Sequence, residues 1–190
     1  MGTGSAITLV LIAIAAVYLV VLYNGLVALK HAISKSFANI DVLLKQRHDE
    51  LPKLVETCRQ YMQHEATTLQ QVITARSRVA SASAARDMDA LSHAEVSLRA
   101  GLGQLFALAE NYPDLKANDT FRHLQARITE IENALADRRE TYNEAVNNNN
   151  VRIEQFPDAV IAQTFGFKPA RLLKFRAQET ADVNLAALFK

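Results

Sequence analysis

No tryptophan, a single cysteine, four prolines and six glycines are spread over the 190 residues of this chain, and neither sign of charge predominates. One cysteine, Cys58, cannot close an intrachain disulfide, so the fold does not depend on an oxidising compartment. The 21 basic and 20 acidic residues leave a net charge of +1, which supplies no field to gather a nucleic acid, and no nucleic-acid partner is expected. Scarce Gly and Pro, with abundant Ala, Leu, Arg, Glu and Gln, argue against a sheet protein and for an all-α fold.

The motifs of bundle and nucleotide enzymes are missing too. A di-iron bundle needs Glu-x-x-His on two helices, and none of His31, His48, His64, His93 and His123 lies three residues after a Glu. Asp89 with His93, and Asp119 with His123, stand four apart, a spacing that surface pairs on a helix also show. There is no His-Glu-x-x-His, no cysteine pair for zinc and no phosphate-binding glycine loop; Gly101 and Gly103 sit inside a helical pattern with no strand before them. Cys58 falls on an apolar stripe, as a small core residue does. We therefore expect no cofactor, no metal, no catalytic residue and no enzymatic activity.

What is present in force is a run of apolar residues. From Ala6 to Tyr23 about 18 consecutive residues carry no charge, enough at helical rise to cross a hydrocarbon layer of roughly 30 Å. The segment before it, MGTGS, lacks the positive charge of a signal peptide, and apolar sequence continues past the small residues Ala13–Ala16, so an uncleaved anchor is expected. Lys30, Lys35, Lys45 and Arg47 follow the run and no charged side chain precedes it, which predicts a single pass through the cell (inner) membrane with the soluble part cytoplasmic. Residues 6–23 are thus assigned to the bilayer, within an anchor over 1–29, a helical domain over 30–156 and a C-terminal segment over 157–190.

After the anchor, apolar residues recur at intervals of three and four. The first stripe is Leu26, Leu29, Ile33, Phe37, Ile40 and Leu44, so the anchoring helix is expected to continue into the domain. Asp49-Glu50-Leu51-Pro52 predicts a break, with Asp49 as N-cap, or else a kink. A second helix carries Leu51, Val55, Cys58, Met62, Leu69, Val72 and Val79, and the small polar stretch Ala80–Asp89 predicts a turn. A third carries Leu91, Leu98, Leu102, Leu105 and Leu108, its glycines pointing to close helix approach, and Pro113 ends it. Asn118-Asp119-Thr120 caps the longest helix, with Phe121, Leu124, Ile128, Ile131, Leu135, Tyr142, Val146, Ile153 and Phe156 on one side until Pro157. The predicted architecture is an antiparallel four-helix bundle of long helices with one N-terminal transmembrane helix.

Polar residues at stripe positions are the candidate specifying sites. Glu65, Arg76, Glu95 and Arg138 could pair between helices inside the bundle, with Arg76 and Glu95 as the pair to test; Asn149 interrupts the last stripe in the same way. In the basic tail after Lys168, Leu172, Leu173 and Phe175 are available to dock on the bundle, on a partner groove or on lipid headgroups.

Several stretches then resemble one family in order and spacing: Asn39-Ile-Asp-Val42, Leu51-Pro-Lys-Leu-Val-Glu56, Ala75-Arg76, Ala109-Glu-Asn-Tyr-Pro-Asp-Leu-Lys-Ala-Asn118, Tyr142-Asn143 and Phe165-Gly-Phe-Lys168. Together they resemble the LemA family over nearly the whole chain, with Asn149-Asn150 standing where the family usually shows Tyr-Asn. The resemblance implies a bacterial protein with one membrane helix, an antiparallel helical bundle and no established catalysis. It also implies association with membrane zinc proteases or other membrane proteins, and a related branch takes part in magnetosome formation. The expected function is a membrane-anchored scaffold or adaptor that acts by protein–protein interaction on a partner not identified by sequence. The alternatives are an accessory regulator of a membrane protease and, more distantly, a metal-dependent bundle enzyme; self-association into a homo-oligomer is also compatible with the stripes.

Overall fold

Proline in a helix removes one N–H and frees the carbonyl four residues earlier, yet the first helix runs through Pro52 without a break. In the computed structural model, which describes residues 2–174, α1 is a single helix over Thr3–Tyr61. The break expected at Asp49–Pro52 is absent because the freed carbonyl of His48 has another donor, Arg76 Nε at 2.8 Å. The side chains of Ile7–Val21 are exposed along the first third of α1, an apolar surface consistent with a membrane location.

The chain stops being helical ten residues later than expected, at Met62–Glu65. Met62 is fully buried there, and Glu65 opens α2 (Ala66–Ala85). The turn predicted over Ala80–Asp89 narrows to two residues. Arg86 adopts a left-handed conformation (φ 51°) and its N–H bonds back to Ser83, while the Asp87 carboxylate accepts the N–H groups of Asp89 and Ala90 to start α3 (Met88–Ala109). The α2 and α3 helices pack as a hairpin. The close approach expected at the glycines is not required by them: a Cβ at Gly101 would meet the Val72 side chain at 3.4 Å, an ordinary van der Waals contact, and Gly103 faces open space.

Pro113 ends α3 as expected and then serves as the first residue of a short α4 (Pro113–Ala117), where its missing N–H costs nothing. Asn118 caps α5 (Asp119–Glu154), its Oδ1 accepting from Phe121 N at 3.0 Å. Finally α6 (Asp158–Phe165) closes on Gly166, whose φ of 72° favours glycine. All six elements are helices, and no strand occurs among the described residues.

Packing divides the chain into two units, with the divisions inside α1 and α5. One unit comprises Met1–Ile40 with Asp137–Leu172, the other Asp41–Ala136 with the described residues from Leu173 onwards. In the first, Leu22 and Leu26 of α1 bury themselves against Ile161 and Ala162 of α6, with Ile153 and Phe167 alongside. In the second, the core is aliphatic, with Leu51, Leu54, Leu91, Leu98, Leu105 and Ile128 among its fully buried side chains.

Candidate functional site

Continuity of α1 carries its apolar stripe onward from Ile40 and Leu44 to Leu51, and the helical turn between them falls on Arg47. Its side chain is 1% exposed, where an isolated cation would be very costly. Two carboxylates meet it: Nη2 donates to Oε1 of Glu95 on α3, and Nη1 donates to Oε1 of Glu132 on α5. The second oxygen of Glu132 lies 3.4 Å from Arg99 Nε, so two cations and two anions form a balanced cluster. Burial alone would lower the pKa of Arg47, but the adjoining Glu95 and Glu132 outweigh it and raise the value, keeping the guanidinium charged.

Beside this cluster lies a cavity of about 270 Å³, lined by Leu44, Leu51, Val79 and Leu98 and bordered by Arg47, His48 and Arg76. Ser83 donates to Asp41 at 2.7 Å on its rim. His48 Nδ1 is buried without a hydrogen-bonding partner. Desolvation and the neighbouring Arg76 charge lower the pKa of His48, and Asp49 opposes them only in part, so the imidazole is held neutral. Cys58 is fully buried and its thiol is pushed up to about 12 by desolvation, which leaves no thiolate at neutral pH. Among the described residues no three His, Cys, Asp or Glu side chains are grouped to hold a metal ion.

The unit containing the apolar span has its own polar device, made of neutral groups. Asn150 faces Ala170 with both ends of its amide: Nδ2 donates to the carbonyl at 3.0 Å, and Oδ1 accepts the N–H at 2.9 Å. Its neighbour Asn149 reaches the carbonyl of Lys168 at 3.5 Å, and the Tyr142 hydroxyl donates to that of Arg171 at 2.9 Å. One side of α5 therefore clasps the extended segment after α6. Burial also raises the pKa of Tyr142, whose ring packs 6.0 Å from Phe37.

These placements revise the expected pairings. Glu95 is buried as a stripe residue, but it receives Arg47, while Arg76 turns to the His48 carbonyl; the expected Arg76–Glu95 pair is not made. Arg138 is exposed, because α5 turns the adjacent Arg139 inward instead. Glu65 is half-buried at the start of α2 and accepts the Tyr112 hydroxyl at 3.4 Å. Leu173 is buried and Leu172 exposed, whereas Phe175 lies outside the described residues. Arg47, Glu132, Tyr142 and Asn150 were missed as polar contacts. The signal for Arg47 was the three-and-four spacing itself, had it been continued across Pro52.

Comparison with known proteins adds three findings. A profile of the LemA family matches residues 36–186. Magnetosome protein MamQ 2 of Paramagnetospirillum magneticum (strain ATCC 700264 / AMB-1) is 33% identical over 89 residues, 47% of this chain and 33% of its own. Magnetosome protein MamQ of Magnetospirillum gryphiswaldense (strain DSM 6361 / JCM 21280 / NBRC 15271 / MSR-1) is 31% identical over 84 residues, 44% of this chain and 30% of its own. The chain thus spans about a third of the length of the curated relatives it matches.

Proposed function

The chain belongs to the LemA family, and from that premise we propose that it is a single-pass membrane protein that acts as a scaffold or adaptor, binding other proteins without catalysis of its own. In this reading the long helices form an antiparallel four-helix bundle on the cytoplasmic side of a bacterial inner membrane. The observation that carries it is the continuity of α1, which joins the exposed apolar stretch to the polar domain with no linker. In this reading a binding surface on the domain is tethered to the bilayer by a helix and not by a Gly/Ser-rich linker. The polar groups brought together inside the domain also lend support, because the Arg47 cluster and the Arg76–His48 bond are engaged in holding helices. The magnetosome designation of the relatives indicates no substrate and does not redirect the proposal.

Crosslinking in cells from exposed positions on the soluble part, followed by mass spectrometry of the membrane extract, tests this. The control lacks residues 2–21, which keeps Leu22 and Leu26 for their packing on α6. A recurrent membrane protein lost with the span is the expected outcome and names the client; a membrane protease in that place would make the chain its accessory regulator. Self-crosslinks alone would turn the adaptor into a homo-oligomeric scaffold. Stoichiometric metal and turnover in the purified protein would overturn the non-catalytic reading.

A further inference from the structure

We propose that α6 and the aromatics around it lie in the interfacial layer of the bilayer that α1 enters, giving the protein a second membrane contact beside its anchor. The proposal rests on the reading of α1 as a membrane anchor. Its first support is position. Packing of Ile161 and Ala162 on Leu22 and Leu26 fixes α6 at the end of the apolar stretch, where a helix about 27 Å long from Ala6 would leave the hydrocarbon.

The second support is what α6 turns outward. Phe156, Val160 and Phe165 are 85%, 55% and 60% exposed, three large apolar side chains within ten residues of chain. Tyr23 lies beside the last of these, its ring 4.9 Å from Phe165 and 5.8 Å from Phe167 in edge-on contacts. Aromatic rings collected at the end of a span match the belt that forms where hydrocarbon meets headgroups. Through Tyr23 and Leu22 the α6 end adjoins the exposed stretch Ile7–Val21, and in the anchor reading the occupant of that stretch is lipid, which we extend to the neighbouring rings.

Charge is the third support. Between Phe156 and Phe167 the only ionisable side chain is Asp158, and it is turned away: 4% exposed, with Oδ1 2.8 Å from Arg152 Nε. The outward face of α6 is therefore free of charge. Charge returns directly afterwards with the exposed Lys168, the first basic side chain past the patch, as suits a segment leaving an apolar layer for headgroups.

The absence of tryptophan makes the test direct, because one introduced indole is the only one in the chain. Full-length Phe165→Trp and Val160→Trp variants would be reconstituted into phosphatidylcholine–phosphatidylglycerol vesicles, with and without lipids brominated near the headgroup end of the acyl chains. Ile14→Trp reports on the span and Val42→Trp on α1 beyond it; both positions are exposed and tolerate the change. The expected result is that bromine removes about half of the emission at positions 165 and 160, as for a side chain seated 5–10 Å into the boundary, and leaves position 42 bright. Quenching at position 14 with emission at 165 and 160 as bright as at 42 would overturn the second contact and leave the anchor standing. An unquenched Ile14→Trp would remove the anchor reading, and this proposal with it.

Discussion

The two packing units use polar side chains in different ways. The unit with Asp41–Ala136 ties α1, α3 and α5 together through charges, Arg47 and Arg99 against Glu95 and Glu132. In the unit with the apolar span the segment after α6 is held by uncharged groups, with Asn149, Asn150 and Tyr142 pairing to backbone, while Arg152 meets the buried Asp158 and Arg139 is turned inward on α5. A buried cation must be met by a full complement of charge, so its removal leaves uncompensated carboxylates. An amide meeting a peptide group leaves only an unpaired dipole when it is lost. Failure should therefore be severe in one unit and graded in the other.

The largest effect is expected at Arg47. Arg47→Met takes from Glu95 and Glu132 the buried cation they share and leaves Arg99 beside Glu132 as the cation of the cluster, and should cost about 3–5 kcal/mol in unfolding of the full-length protein in detergent. The triple variant Arg47→Met, Glu95→Leu, Glu132→Leu should regain most of that loss. If the triple variant remained as unstable as the single one, the charge explanation would fail and the damage would lie in packing. Smaller and local is the change at Asn150. Asn150→Ala deprives the Ala170 N–H and carbonyl of their partner, and should cost about 1–3 kcal/mol. Its first sign should be faster proteolysis after Lys168, with the melting of the charged unit unchanged; equal loss in both units would mean that the clasp is not local.

Much of this was legible in the sequence, and its omissions have physical causes. The apolar run, the stripes, the Asn118 cap and the stop at Pro113 rest on local rules of periodicity and capping, which need no tertiary information. The break at Pro52 was misjudged because the rule that proline ends a helix assumes that the freed carbonyl stays unpaired. The donor comes from Arg76, 28 residues further on. That error hid Arg47, because a stripe cut at Asp49 makes a lysine-like flanking charge of a residue that belongs to the core. The choice between Arg138 and Arg139 was open for another reason: steps of three then four, or four then three, from Leu135 to Tyr142 fit the pattern equally well. Pairings such as Asn150 with Ala170 depend on a backbone conformation after α6 that no side-chain pattern encodes.

The smallest effect addresses the device that kept α1 whole. Arg76 Nε and the His48 carbonyl form a useful bond only because Pro52 withholds the N–H that would ordinarily occupy that carbonyl. Replacing Pro52 with Ala restores that donor, so the two changes should not be additive. Arg76→Met alone should destabilise the full-length protein by about 1–2 kcal/mol, whereas the same change in a Pro52→Ala background should cost about 1 kcal/mol less. Thermal unfolding of the four proteins gives the coupling directly. Full additivity would mean that Arg76 stabilises through its charge or its stem, and that α1 tolerates Pro52 without help from α2. Coupling of the expected sign would mean that the helical continuity of α1 past Pro52 is enforced by the hairpin, so that part of α1 and the α2–α3 hairpin fold as one cooperative element.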